Sequence, residues 1–138
     1  MEIKTLEYNI LQYDSLQIDT SLISINLSDI MENLRSCLPF SKTSILAVPL
    51  LNEPDKKIII SAAHENSDIE FPPTANSVSL QVIEGVLVFR TRKESVTLNP
   101  GMILTVSEKK KFRIKAMENA LFLVTLEFAI QKINTGLN

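Results

Sequence analysis

The 138-residue sequence contains one cysteine, one histidine, three glycines and no tryptophan. Each scarcity excludes something. A lone Cys37 cannot close an intrachain disulfide, which fits a reducing compartment. The single histidine, His64, rules out a three-histidine metal site by count. Three glycines, Gly85, Gly101 and Gly136, leave no glycine-rich phosphate loop. Neither a G-x-S-x-G nor an H-E-x-x-H element occurs. The longest apolar run, 45–51, has seven residues with Pro49 inside it, far short of the roughly 20 that span a bilayer. Residues 1–14 (MEIKTLEYNILQYD) carry charges throughout and lack a secretory apolar region. A soluble, cytoplasmic protein without membrane contacts is expected. Net charge is only −2, with pI near 5.4. No basic face is expected to suit a nucleic-acid partner.

What is present is hydrocarbon in short, punctuated segments. Hydrophobic residues make up 45% of a chain of single-domain length, enough for a core without staples. One domain over 1–138 is expected, with an arm, strand and helix in 1–42 and a barrel in 43–128. Residues 1–20 fit helical and broken-strand spacing equally well. They read as an arm that packs on the barrel or on a partner subunit. A short strand is expected at 21–26. A helix follows over 29–37, with Ser28 as N-cap, acidic residues in its first turn, and Ile30, Met31, Leu34 and Leu38 in one apolar stripe. Pro39 ends it. Strands are expected at 43–51 and 57–63, the second with a continuous β-branched run at 58–60 that suits a strand covered on both faces. Residues 64–68 read as a polar turn and 71–74 (FPPT) as a stiff extended connector. From 77 to 128 the strands come at regular spacing: 77–83, 86–91, 95–98, 102–106, 112–116 and 121–128. Glu84-Gly85 reads as a hairpin turn and Asn99-Pro100-Gly101 as a second strong turn. This spacing is the signature of an all-β barrel or sandwich. Residues 131–138 read as a frayed end.

Residues 82–85 (VIEG) and 99–101 (NPG), with the strands around them, resemble the end of the first and the start of the second motif of the cupin superfamily. The resemblance covers about 45–126 and implies an all-β, cupin-like antiparallel β-barrel (double-stranded β-helix or jelly roll) with a short N-terminal helix. Carried over residue by residue, the family's metal-binding glutamate position falls on Val78. The two first-motif histidines fall within 71–74, on Phe71 and Pro73 or on Pro72 and Thr74. The second-motif histidine falls on Phe112, the asparagine on Ala116, and Ser107-Glu108-Lys109 stands at a Pro-x-Gly position. A catalytic divalent metal needs imidazole or carboxylate donors converging on one point. Val78 and Phe112 offer none, so no metal and no cofactor is expected. The inward set is Val78, Leu80, Val82, Phe112 and Ile114, with Phe71 at the rim. These six are the candidate ligand-binding residues.

Other candidates are weaker. His64 near Asp68 and Glu70 could form an acid–base pair, but a turn histidine is more often simply solvated. Cys37 reads as a buried structural thiol. Lys109, Lys110 and Lys111, with Arg113 and Lys115 on an outward face and Arg90, Arg92 and Lys93 nearby, form a basic patch. It suits an anion or acidic partner, or plain solvation. The leading functional expectation is a metal-free, non-enzymatic barrel holding a small, mostly apolar ligand. The alternatives are a small enzyme with a non-standard site, and a structural or protein-binding module with a filled barrel. The resemblance also implies a homodimer.

Overall fold

A computed structural model of the chain describes residues 3–5, 17–19, 22–41, 45–71 and 73–129. Two five-stranded sheets face each other across one core. The first has the order β1 (Ile3–Thr5), β6 (Asp68–Phe71), β11 (Phe112–Ala116), β8 (Leu87–Arg90), β9 (Ser95–Leu98). The second has the order β10 (Ile103–Val106), β7 (Ser77–Glu84), β12 (Ala120–Glu127), β5 (Lys56–Ala63), β4 (Ile45–Asn52). A short pair, β2 (Gln17–Asp19) and β3 (Leu22–Ile23), stands apart. Every ladder in the two sheets is antiparallel except β1 on β6. The chain crosses repeatedly from sheet to sheet, and the two sheets do not close into a continuous barrel. This is a jelly-roll arrangement.

The core follows from alternation. In β7, Val78, Leu80 and Val82 are buried while Ser79 and Gln81 are not. In β11, Phe112, Ile114 and Ala116 are buried and Arg113 is exposed. These side chains meet Ile45, Ala47, Ile59, Phe122 and Val124 from the rest of the second sheet, and Leu87, Phe89 and Leu98 from the first. Burying each large side chain contributes about 1.5–3 kcal/mol.

A second core lies outside the second sheet. There α1 (Leu27–Cys37) sets Ile30 and Leu34, followed by Leu38, against Leu46, Val48, Ile60, Ala62 and Leu121. The run at 58–60 is continuous because Ile59 serves the inner core and Ile60 the outer one. The helix begins two residues earlier than expected. Its N-cap is Asn26, not Ser28. Asn26 is extended (φ −86, ψ 96), and its Oδ1 accepts the Asp29 N–H at 3.2 Å. Arg35 on the exposed side grips Glu84 of β7, Nε to Oε1 at 2.8 Å and Nη2 to the same oxygen at 2.5 Å.

Three further expectations are corrected. Residues 68–71 form a strand, β6, placed between β1 and β11 by ladders on both sides. Glu84-Gly85 is not a hairpin turn, because β7 and β8 lie in different sheets and the turn carries the chain between them. Gly85 has φ +81, and a Cβ there would come within 2.4 Å of the Asn119 carbonyl oxygen. The Asn99–Gly101 turn likewise passes from the edge strand β9 to the edge strand β10. Cys37 is exposed rather than buried, since it lies off the apolar stripe of α1. The arm residues 3–5 pair with β6. Residues 17–19 pair with β3, while the reading of 1–2, 6–16 and 20, Pro72 of the connector, and the terminal residues 131–138 lie outside the described residues. No helix of the described residues is long and apolar enough to cross a membrane.

Candidate functional site

The six apolar residues singled out from the sequence are brought together by the two sheets. Phe71, Val78, Leu80, Val82, Phe112 and Ile114 are each at most 5% exposed and share one continuous core. Register sets the contacts. Phe112 stands opposite Phe71 on β6, and their rings stack at 4.7 Å between centroids, 12° from parallel. Ile114 stands opposite Phe89 on β8, and Phe89 packs on Phe112 at 5.0 Å and 39°. Packed hydrocarbon therefore occupies the middle of the sandwich.

Space opens at the side where the sheets end. A cleft of about 270 Å³ lies between β8–β9 of the first sheet and β10 of the second. Its apolar wall is Phe89, Val96, Leu104 and Val106. All four also pack on the core, so Phe89 is the layer that separates the cleft from Phe112. Its rim is polar: Thr91 and Glu94 on one side, Ser107, Glu108 and Lys110 on the other. The rim at 91–94 is a well-built hairpin turn. The Thr91 N–H donates to the Glu94 carbonyl at 2.9 Å. Thr91 Oγ1 accepts the backbone N–H of Glu94 at 3.1 Å and of Lys93 at 3.3 Å. Across the cleft, Glu108 pairs with Lys110 at 3.4 Å.

Sequence reasoning found the six core residues and missed this wall. The signal was available. The apolar residues of β9 and β10 alternate, with Val96, Leu104 and Val106 on the inward side, but edge strands bury them only partly.

The donors that a cupin metal would require do not fit this molecule. The positions carried over from the family include Val78, Phe71 and Phe112, all buried in hydrocarbon. Among the described residues no group of three or more His, Cys, Asp or Glu could hold a metal ion. His64 lies half-buried in the turn after β5, where its carbonyl accepts the Ser67 N–H at 3.1 Å. No hydrogen bond or ion pair among the described residues joins it to Asp68 or Glu70. The Glu70 carboxylate is held instead by Lys111, 2.7 Å away, and the Lys111 ammonium, aided by Arg113, keeps it below the usual carboxylate range. Arg113 and Arg90 stand directly opposite each other on the outer face of the first sheet. Thr74 is exposed.

No family model matches the chain, and no curated protein matches it. Solved structures do. A cupin superfamily protein from Desulfitobacterium hafniense superposes with TM-score 0.60 at 14% identity, covering 64% of this chain and 82% of the other. The cupin-2 domain of an XRE-family transcriptional regulator from Enterobacter cloacae gives TM-score 0.57 at 16% identity, over 64% of this chain and all of that domain (100%). Salicylate 1,2-dioxygenase from Pseudoaminobacter salicylatoxidans gives 0.61 at 13%, over 75% of this chain but only 32% of the enzyme. Identities this low speak for architecture alone. With the two sheets, antiparallel except for β1 on β6, the crossovers at Gly85 and Gly101 and the helix α1, they show that this chain has a cupin-like fold.

Proposed function

We propose that the chain is a metal-free, non-enzymatic binding module that takes a small, mostly apolar ligand in the cleft between β8–β9 and β10. The observation that carries this reading is the wall of Phe89, Val96, Leu104 and Val106 beneath a polar rim. Binding sites for small molecules are concave and largely apolar, with a few polar groups that fix orientation. A volume of about 270 Å³ suits a compact organic molecule rather than a polymer. Phe71, Val78, Leu80, Val82, Phe112 and Ile114 do not line the cleft and lie in the packed core behind it. They hold Phe89 in place, with Phe112 directly behind it. An enzyme reading has less support, because among the described residues around the cleft no nucleophile is hydrogen-bonded to a base.

The test is ligand-observed NMR with a library of small apolar fragments. Hits should compete with one another and should be lost in Val96→Trp, which fills the cleft from an edge strand, while thermal melting shows the variant folded. Binding unaffected by that substitution would place the site elsewhere. Elemental analysis and titration with iron, zinc, manganese and nickel salts should find no stoichiometric metal. About one tightly held ion per chain would overturn the metal-free reading.

A second reading, a structural module that pairs as a homodimer, is favoured by one specific feature. Met102, just before edge strand β10, and Ile103, its first residue, are 41% and 63% exposed. An uncharged edge with exposed hydrocarbon is a liability unless something covers it. Sedimentation velocity of the wild type and Ile103→Lys separates the two readings. A dimer lost on that substitution supports the second, and a monomer in both removes it.

A further inference from the structure

The outer face of the first sheet is separate from the cleft, and the ladders place its side chains on a grid. One row across the sheet reads Glu70, Arg113, Arg90, Ser95, each directly opposite the next. The row beside it reads Asp68, Lys115, Val88, Thr97. Alternation in β11 turns Arg113 and Lys115 away from the core that Phe112 and Ile114 enter. Arg90, Arg113, Ser95 and Thr97 are exposed, whereas the outward face of the second sheet lies under α1.

The middle of this grid is positive and unbalanced. Side chains directly opposite each other start about 5 Å apart at Cβ, and like charges placed so destabilise the ladder. Arg90 has Arg113 on one side and Ser95 on the other, with Lys115 and Thr97 on the diagonals. None of these four positions holds a carboxylate. Glu70, opposite Arg113, is held by Lys111 at 2.7 Å. Among the described residues neither arginine forms an ion pair. One compact dianion between the two guanidiniums balances both, and a single carboxylate balances only one.

We propose that this face docks a phosphorylated segment of a partner protein, with the phosphate between Arg90 and Arg113 and the Ser95 hydroxyl donating from the side. A phosphoserine brings about two negative charges and three acceptor oxygens, and guanidinium groups meet phosphate through paired N–H donors. A sheet face is flat and encloses no small molecule, so the rest of the segment supplies contact along the neighbouring strands. Single-stranded nucleic acid is disfavoured, because neither row holds an aromatic ring for bases to stack on. The proposal does not depend on the cleft.

The test is NMR titration of the full chain with a short peptide of alternating Thr and Val that carries phosphoserine, glutamate or serine at its centre. The phosphoserine peptide should bind about tenfold more tightly than the glutamate peptide, as charge-assisted paired hydrogen bonds imply, and should shift the amides of Arg90, Ser95 and Arg113. Arg90→Gln should weaken it about tenfold. Lys56→Gln, which removes the same charge from the second sheet, should leave it unchanged. Arg113→Gln serves if Arg90→Gln does not fold. Equal affinity for the phosphoserine and glutamate peptides, or equal losses in Arg90→Gln and Lys56→Gln, would overturn the proposal. Inorganic phosphate binding as tightly as the phosphopeptide would remove the partner segment from it, and tighter binding of a short oligonucleotide would replace it with a polyanion site.

Discussion

The two outer faces of the sandwich are built on opposite terms. On the second sheet, Leu46, Val48, Ile60, Ala62 and Leu121 point outward and are buried, because α1 lies over them. On the first sheet the corresponding face carries Arg90, Arg113, Lys115 and Glu70 and stays in contact with water. The difference is written into the strands. A strand covered on both faces can be apolar without interruption, as in IIISAA, whereas one with a wet face must alternate, as in FRIKA. Stability should therefore be concentrated in the inner core and under the helix. The charged face is free to carry other properties.

The largest effect is expected where the chain passes from one sheet to the other. Gly85→Ala places a methyl group 2.4 Å from the Asn119 carbonyl oxygen and 2.8 Å from the Ala120 Cα, on a residue with φ +81. The obstruction is backbone at the start of β12, so relief requires the sheets to shift. A loss of about 4 kcal/mol in chemical denaturation is expected. Gly101→Ala also has positive φ but meets nothing within 4 Å, so about 1 kcal/mol is expected there. Equal losses at the two glycines would mean that the close approach of Gly85 to β12 does not matter.

The next largest effect tests the two faces directly. Leu34 is 2% exposed beneath α1, and Leu34→Ala should cost about 3 kcal/mol. Arg113→Ala on the opposite face should change stability by less than about 0.5 kcal/mol. Urea midpoints with unchanged slopes would measure both. A loss below about 1 kcal/mol for Leu34→Ala would show that the helix is not a working part of the core.

Much of this contrast was legible in the sequence. Period-two alternation identified the inward residues of β7 and β11, and the helical stripe identified Ile30, Leu34 and Leu38. What could not be read was which strands lie side by side. Glu84-Gly85 has the composition of a hairpin, and only the ladders show that β7 pairs with β10 and β12 while β8 pairs with β9 and β11. Strand β6 was hidden for a related reason. Its few residues, flanked by a polar turn and two prolines, become a strand only because β11 and β1 supply hydrogen bonds on either side. The cleft was missed because it exists only between two edge strands. Val96 and Leu104 are ordinary alternating residues until β9 and β10 are placed at the same open side.

The smallest expected effect lies on the charged face and depends on pH. Lys111 holds the Glu70 carboxylate below its usual range in the folded chain. A carboxyl with a depressed folded pKa binds fewer protons when folded than when unfolded. Its contribution is therefore complete above the unfolded value, near 4.3, and is lost as pH falls through the lower folded value. Glu70→Gln removes this contribution, so the gap in melting temperature between wild type and variant should be constant from pH 7 to 5 and should shrink below about pH 4. Lys111→Met should abolish the shrinkage by removing the ammonium that depresses the carboxyl. A gap that stays flat down to pH 3 would show that Lys111 and Glu70 do not interact in solution. The face would then be a set of independently solvated charges, in full contrast to the hydrocarbon under α1.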